Sequence, residues 1–228
     1  MKCFLATAAL LASSSLAAAG TVNIASDSAN STSNLGAFTG SLTYVGGTLT
    51  VSLANTSGLA NGGYITGFLM NIDDTNATGV FVDANDATTT GVNEADFGNT
   101  GTGAGGSPFG SFELGAALGS NFLGGGNPSK GVGVGETGIF NFTITDPDTN
   151  VVVDSFMSQL STGNGGNGKQ AAFLVRFRGF ENDGSDKVPG LIDSPPPAIP
   201  VPPAAWMVLG TMGMMVAPRV RKMIAKMA

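Results

Sequence analysis

The chain has 228 residues, room for one ordinary domain or two small ones; glycine supplies 35 of them, and charged residues make up only 11%. No histidine is present and Cys3 is the single cysteine, which excludes imidazole acid–base chemistry, Ser–His or Cys–His nucleophiles and thiolate–imidazole zinc sites. All 16 acidic residues lie between Asp27 and Asp193, where only Lys130, Lys169, Arg176, Arg178 and Lys187 oppose them; that stretch carries a formal charge of −11 and repels phosphate backbones, so no nucleic-acid partner is expected.

Residues 1–19 read as a secretory signal. Lys2 gives a positive start, Phe4–Leu11 a short apolar run, and Ala17-Ala18-Ala19 a small-residue cleavage pattern that makes Gly20 the first mature residue. The run is too short to span a bilayer. Cleavage removes Cys3, so the exported protein would be held together by packing, calcium or assembly and not by disulfides.

Residues 20–190 are the body. Leu49, Val51 and Leu53 alternate with Thr48, Thr50 and Ser52, which is the period of a half-buried strand. Tyr64–Ile72, Val80–Asp83 and Ser111–Leu114 are further strand-like runs. Phe140, Phe142 and Ile144 alternate with Asn141, Thr143 and Thr145, and Phe173, Val175 and Phe177 with Leu174, Arg176 and Arg178. Val153, Phe156, Met157 and Leu160 have helical spacing and predict one short helix before Gly163. Gly98–Gly110, Gly124–Gly135 and Asn164–Gly168 read as loops. Many short strands with Gly-rich turns predict an all-β domain, an antiparallel β-sandwich of jelly-roll or immunoglobulin-like order. Periodicity does not separate those two orders.

Leu191–Pro203 is a Pro-rich linker, a composition that favours a stiff polyproline II spacer. Ala204–Ala217 is apolar and carries the only tryptophan, Trp206. Arg219, Arg221, Lys222 and Lys226 follow, so that residues 204–228 read as a hydrophobic helix with a basic tail held on the cytoplasmic side. The run Ile199-Pro200-Val201-Pro202-Pro203-Ala204-Ala205-Trp206 resembles the Val-Pro-Leu-Pro-Ala-Ala-Ala-Trp start of the VPLPA variant of PEP-CTERM sorting tails, with Pro203 where that motif has alanine. Motif, apolar helix and basic end come in the same order. The resemblance covers the chain from Ile199 onward. It implies an exosortase-like processing enzyme as partner and membrane attachment through the C-terminal helix before processing. It further implies tail removal, delivery to the cell surface or outside, and exopolysaccharide as a neighbour.

Within the body the acidic loops were weighed as sites. Asp83, Asn85 and Glu94 fall at calcium-loop positions 1, 3 and 12, but Ala87 and Thr88 stand at positions 5 and 6 and no helices flank them, so an EF-hand is not expected. Asp73, Asp74, Asp83 and Asp86 offer a looser calcium alternative. Asp146-Pro147-Asp148 and Glu181–Asp186 read as turn formers. Arg176 and Arg178 read as a solvated strand face, with the clasping of an acidic polysaccharide as the alternative. The triplets at Asn30, Asn55, Asn76 and Asn141 follow from composition and carry no assigned role. The expectation is an exported structural protein without catalytic residues, cofactor or resident metal. A calcium- or carbohydrate-binding module is the alternative, and a two-carboxylate glycoside hydrolase stands behind it, short of the aromatic platforms a sugar cleft needs.

Overall fold

The computed structural model describes residues 19–85, 96–163 and 168–193. Twelve strands run along the chain: β1 (Gly20–Ser26), β2 (Phe38–Val45), β3 (Thr48–Asn55), β4 (Gly62–Met70), β5 (Thr78–Asn85), β6 (Phe97–Asn99), β7 (Ala104–Gly105), β8 (Ser111–Phe112), β9 (Leu114–Leu118), β10 (Thr137–Thr145), β11 (Phe173–Phe180) and β12 (Ser185–Ile192). Among the described residues one α-helical turn, α1 (Ser155–Ser158), and 3-10 turns at Ser28–Asn30 and Pro128–Lys130 interrupt them.

Ten strands form a single antiparallel sheet in the order β5-β10-β3-β2-β1-β12-β11-β4-β9-β6, and β7 pairs with β8 apart from it. The domain is therefore all-β and antiparallel, as the alternation predicts. The sheet curls until it is nearly closed, and β5 at one end comes alongside β6 and β9 at the other. Closure hides the edges that would otherwise recruit further strands. At Asn141/Phe142 the β10–β5 register shifts, so Val82 bulges from the edge strand and breaks its flat template. The β2–β3 hairpin turns through Gly46 and Gly47, both at positive φ (56° and 81°), the geometry a two-residue turn needs to match strand twist.

The alternating residues point where the sequence puts them. Leu49, Val51, Leu53, Phe140, Phe142, Phe173, Val175 and Phe177 are all buried in one core. Phe68 on β4 is its centre. Its ring lies 4.8 Å from Phe140, 5.9 Å from Phe142 and 5.7 Å from Phe173, and Phe97 meets Phe140 at 5.0 Å. Phe68 and Phe140 sit near opposite ends of the strand order, so their contact crosses the inside of the curled sheet.

Three local outcomes differ from the periodicity. The helix stops at Ser158 because Gln159 takes an extended backbone (φ −95°, ψ 124°); Phe156 and Met157 are buried but Leu160, one turn too far, is exposed. The second face of β11 is covered too: Leu174 packs with Leu69, Phe109, Phe112, Ala117, Phe122 and Ala171 in a separate small core under the glycine-rich segments. Those segments contain β6, β7 and a 3-10 turn at Pro128–Lys130, and are ordered where loops are expected. Strand β12 runs through Leu191 and Ile192, the first residues of the expected linker, and carries Pro189 internally. Proline is tolerated there because the β1–β12 ladder ends at Gly190.

Phe68→Ala is expected to cost about 3–5 kcal/mol, because it opens a cavity against three rings. Urea unfolding of the variant against the parent measures it.

Candidate functional site

The two ends of the body meet at one place. Gly20 opens β1 opposite Tyr44 of β2, so cleavage after Ala19 removes no strand residue. Ile192 closes β12 opposite Ile24 of β1, and the Asp193 N–H donates to the Asn23 carbonyl at 2.8 Å. Because the two strands are neighbours and antiparallel, the chain enters and leaves at the same end of the sheet. The expected sorting motif (Ile199, Pro200, Val201, Pro202, Pro203, Ala204, Ala205, Trp206) and basic tail (Arg219, Arg221, Lys222, Lys226) lie outside the described residues, as do Asp86, Glu94 and the loop residues 164–167.

Each candidate calcium carboxylate that is described serves a local bond. Asp73 accepts from the Ser158 hydroxyl (3.0 Å), Asp74 from the Asn76 N–H (2.8 Å) and Asp83 from the Asn141 amide (2.9 Å). No three acidic or other metal-ligating side chains gather among the described residues. Asp146 is the turn former expected of it, accepting from the Asp148 N–H (3.1 Å) and the Val151 N–H (2.8 Å).

Asp186 is different. Expected in a solvated turn, it is fully buried on β12 and its carboxylate organises the Asp27–Ala37 connection. Oδ1 accepts from the Thr32 hydroxyl and the Ser33 N–H, both at 2.9 Å, and Oδ2 from the N–H groups of Leu35 (2.8 Å) and Gly36 (3.0 Å). A buried carboxylate survives only when its lone pairs are filled this way. Asn55 does similar work, donating to the carbonyls of Gly63 (3.1 Å) and Val132 (2.9 Å) while accepting from the Ser57 N–H (3.1 Å). Spacing gave no hint of either role, since each is defined by partners distant in sequence.

The basic residues also depart from expectation. Arg176 and Arg178 are half-buried and clamp the glycine-rich stretch beside β9. Arg176 Nη1 donates to the Phe122 carbonyl, and Arg178 Nη1 to the carbonyls of Gly125 (2.6 Å) and Gly126 (3.3 Å). Lys187, opposite Arg176 on β12, donates to the Ser107 carbonyl. Burial, then the nearby Arg178 charge, lowers the Arg176 pKa to about 10, and its Nε is buried without a partner. Burial and then Arg176 lower Lys187 as well. These cations are therefore occupied as loop anchors and not as a solvated face. Among the described residues the one ion pair is Lys130–Asp96, at 3.2 Å.

A concavity of about 640 Å³ forms a groove beside the end of β12, lined in part by Phe109, Met157, Leu160, Leu191 and Ile192. Lys169 stands over it, 5.6 Å above the Phe109 ring and donating to the Asn30 carbonyl at 3.1 Å. The lining is mainly apolar and suits contact, not bond-making. No family model, curated protein or solved structure matches the chain.

Asp186→Ala is expected to destabilise the body by about 3 kcal/mol or more, by stripping the acceptor from four donors, three of them backbone N–H groups. Asp186→Asn, which keeps the shape and one acceptor, should cost less; thermal melts of both variants against the parent check the order.

Proposed function

We propose that this is an exported, non-catalytic surface or extracellular-matrix protein, released from its C-terminal tail by an exosortase-like enzyme. The observation that carries the reading is the position of the body's ends. The first strand residue is the first residue after the predicted signal cleavage site, and the last strand closes at Ile192, ahead of the expected sorting motif that begins at Ile199. Both address segments can then be removed without touching the ladder.

The use of the carboxylates as loop anchors supports a scaffold role for the body in preference to a two-carboxylate hydrolase. The curled sheet is read as a β-sandwich in which one continuous sheet folds over its own phenylalanine face, supported by the contacts of Phe68 with Phe140 and Phe142 across the core. The membrane is a partner only through the helix after Ala204, before processing, and exopolysaccharide is the expected surrounding.

Intact mass of the protein recovered from its native host, in cell-bound and medium fractions, tests the reading. The expected species starts at Gly20 and ends near Pro202. A species that keeps Arg219–Ala228 would sink the sorting proposal and leave a plain membrane anchor. A second measurement separates the calcium alternative. The melting midpoint should be the same in calcium and in chelator, and a rise with calcium would favour a calcium-binding module.

A further inference from the structure

Strands β1, β2, β3 and β10 lie side by side in the sheet, and none of their residues is charged. Their inward apolar residues belong to the core; most of their outward residues are short and polar, with Ala25, Val45, Ala54 and Ile139 as the apolar exceptions. On this face the cross-strand register sets Thr21 opposite Thr43, Thr43 opposite Thr50, Thr50 opposite Asn141, and Asn141 opposite Asp83. That row is internally satisfied: Thr21 and Thr43 share a hydroxyl bond of 3.0 Å, Thr50 donates to Asn141 at 2.9 Å, and Asn141 to Asp83 at 2.9 Å.

The next rows are not. Asn23 lies opposite Ser41 and Ser41 opposite Ser52, and beyond them come Thr39 and Thr137 on either side of Ala54. The side chains of these five polar residues make no hydrogen bond to any described residue. They line a depression of about 370 Å³, which the Asp193 carboxylate, also without a partner among the described residues, joins at the β1 end. The depression thus offers hydroxyls and an amide that both donate and accept, together with one group that only accepts. Neighbouring strands space them about 4.8 Å apart and successive rows lie about 7 Å apart, so the groups are spread over a surface that several hydroxyls of one polyol chain can reach at once.

We infer that this depression and the uncharged hydroxyl face around it bind a neutral, hydroxyl-rich glycan strand. The inference deepens the extracellular-matrix reading and rests on it for its biological setting. Anionic polymers are opposed by Asp193 and the −11 body. A polypeptide strand finds no free backbone, because each of the four strands is already paired on both sides. A neutral polyol meets no charge of its own to desolvate, and adjacent hydroxyls satisfy the Asp193 carboxylate.

Calorimetric titration of the host-purified protein with cellohexaose, dextran and mannan, with polygalacturonate as the acidic comparison, tests this. At least one neutral glycan should bind, and Ser52→Arg and Asp193→Asn should each weaken it about tenfold. Thr145→Arg, on the same face but at the far end of β10, should leave it unchanged, and circular dichroism establishes that each variant is folded. The inference is overturned by the absence of heat with all three neutral glycans, by tighter binding of polygalacturonate, or by equal affinity in Ser52→Arg. It is also overturned if Ser52→Arg converts an oligomer to a monomer in sedimentation, which would make the face a contact between copies. Because binding is read on the purified protein, failure here leaves the intact-mass result, and with it the export reading, standing.

Discussion

One face of the ten-stranded sheet carries Phe68, Phe140, Phe142 and Phe173, and an apolar face of that extent has to be covered to leave water. Phe68 is where that closure is made, touching Phe140 and Phe142 from the far side of the sheet and Phe173 from the adjacent strand. The curl that brings β5 beside β6 follows from this burial. So does the removal of sticky edges, which the bulge at Val82 completes. With Cys3 the only cysteine, no disulfide can share the task within the body.

Once the sheet is curled, long connections have to cross its ends and its outer face, and their backbone groups need partners. A few buried or half-buried polar side chains, three of them charged, meet that need. Asp186 gathers the Asp27–Ala37 connection, Arg176 and Arg178 hold the stretch after β9, and Asn55 joins β3 to the carbonyls of Gly63 and Val132. Under the arginine-held stretch a second small core forms around Leu174 and Phe112, which is why β11 is buried on both faces. A chain this poor in charge has placed its charges where they satisfy backbone.

That economy leaves strands β1, β2, β3 and β10 without a charged residue of their own, with hydroxyls and amides predominant on their outward side. The described body begins and ends at one end of the sheet, so under the proposed export reading this face is available to the surroundings while the tail is processed. The strands of the body run between Gly20 and Ile192, and the segments proposed as addresses lie beyond those limits.

The strands with strict alternation were legible from sequence, because period-two burial depends only on each strand's own residues. Thr48–Leu53, Phe140–Thr145 and Phe173–Arg178 lie within strands β3, β10 and β11, with their apolar sides inward. The all-β, antiparallel character followed from those runs and their turns. Strands β1, β2 and β12 were not legible: Gly40 interrupts β2 and Pro189 interrupts β12, and both are tolerated only because of what lies alongside. The buried roles of Asp186, Asn55 and Arg176 were equally hidden, since a carboxylate in a turn and one that accepts four bonds from a loop about 150 residues away read alike along the chain. Sequence by itself determined the composition of the strictly alternating faces and the charge, and it supplies the expectation of address segments at the ends; all of these are local properties. Only the tertiary structure decided that the strands join in one curled sheet, which polar groups go inside, and which hydroxyls remain free on the outer face, because each of these depends on partners brought together from distant parts of the chain.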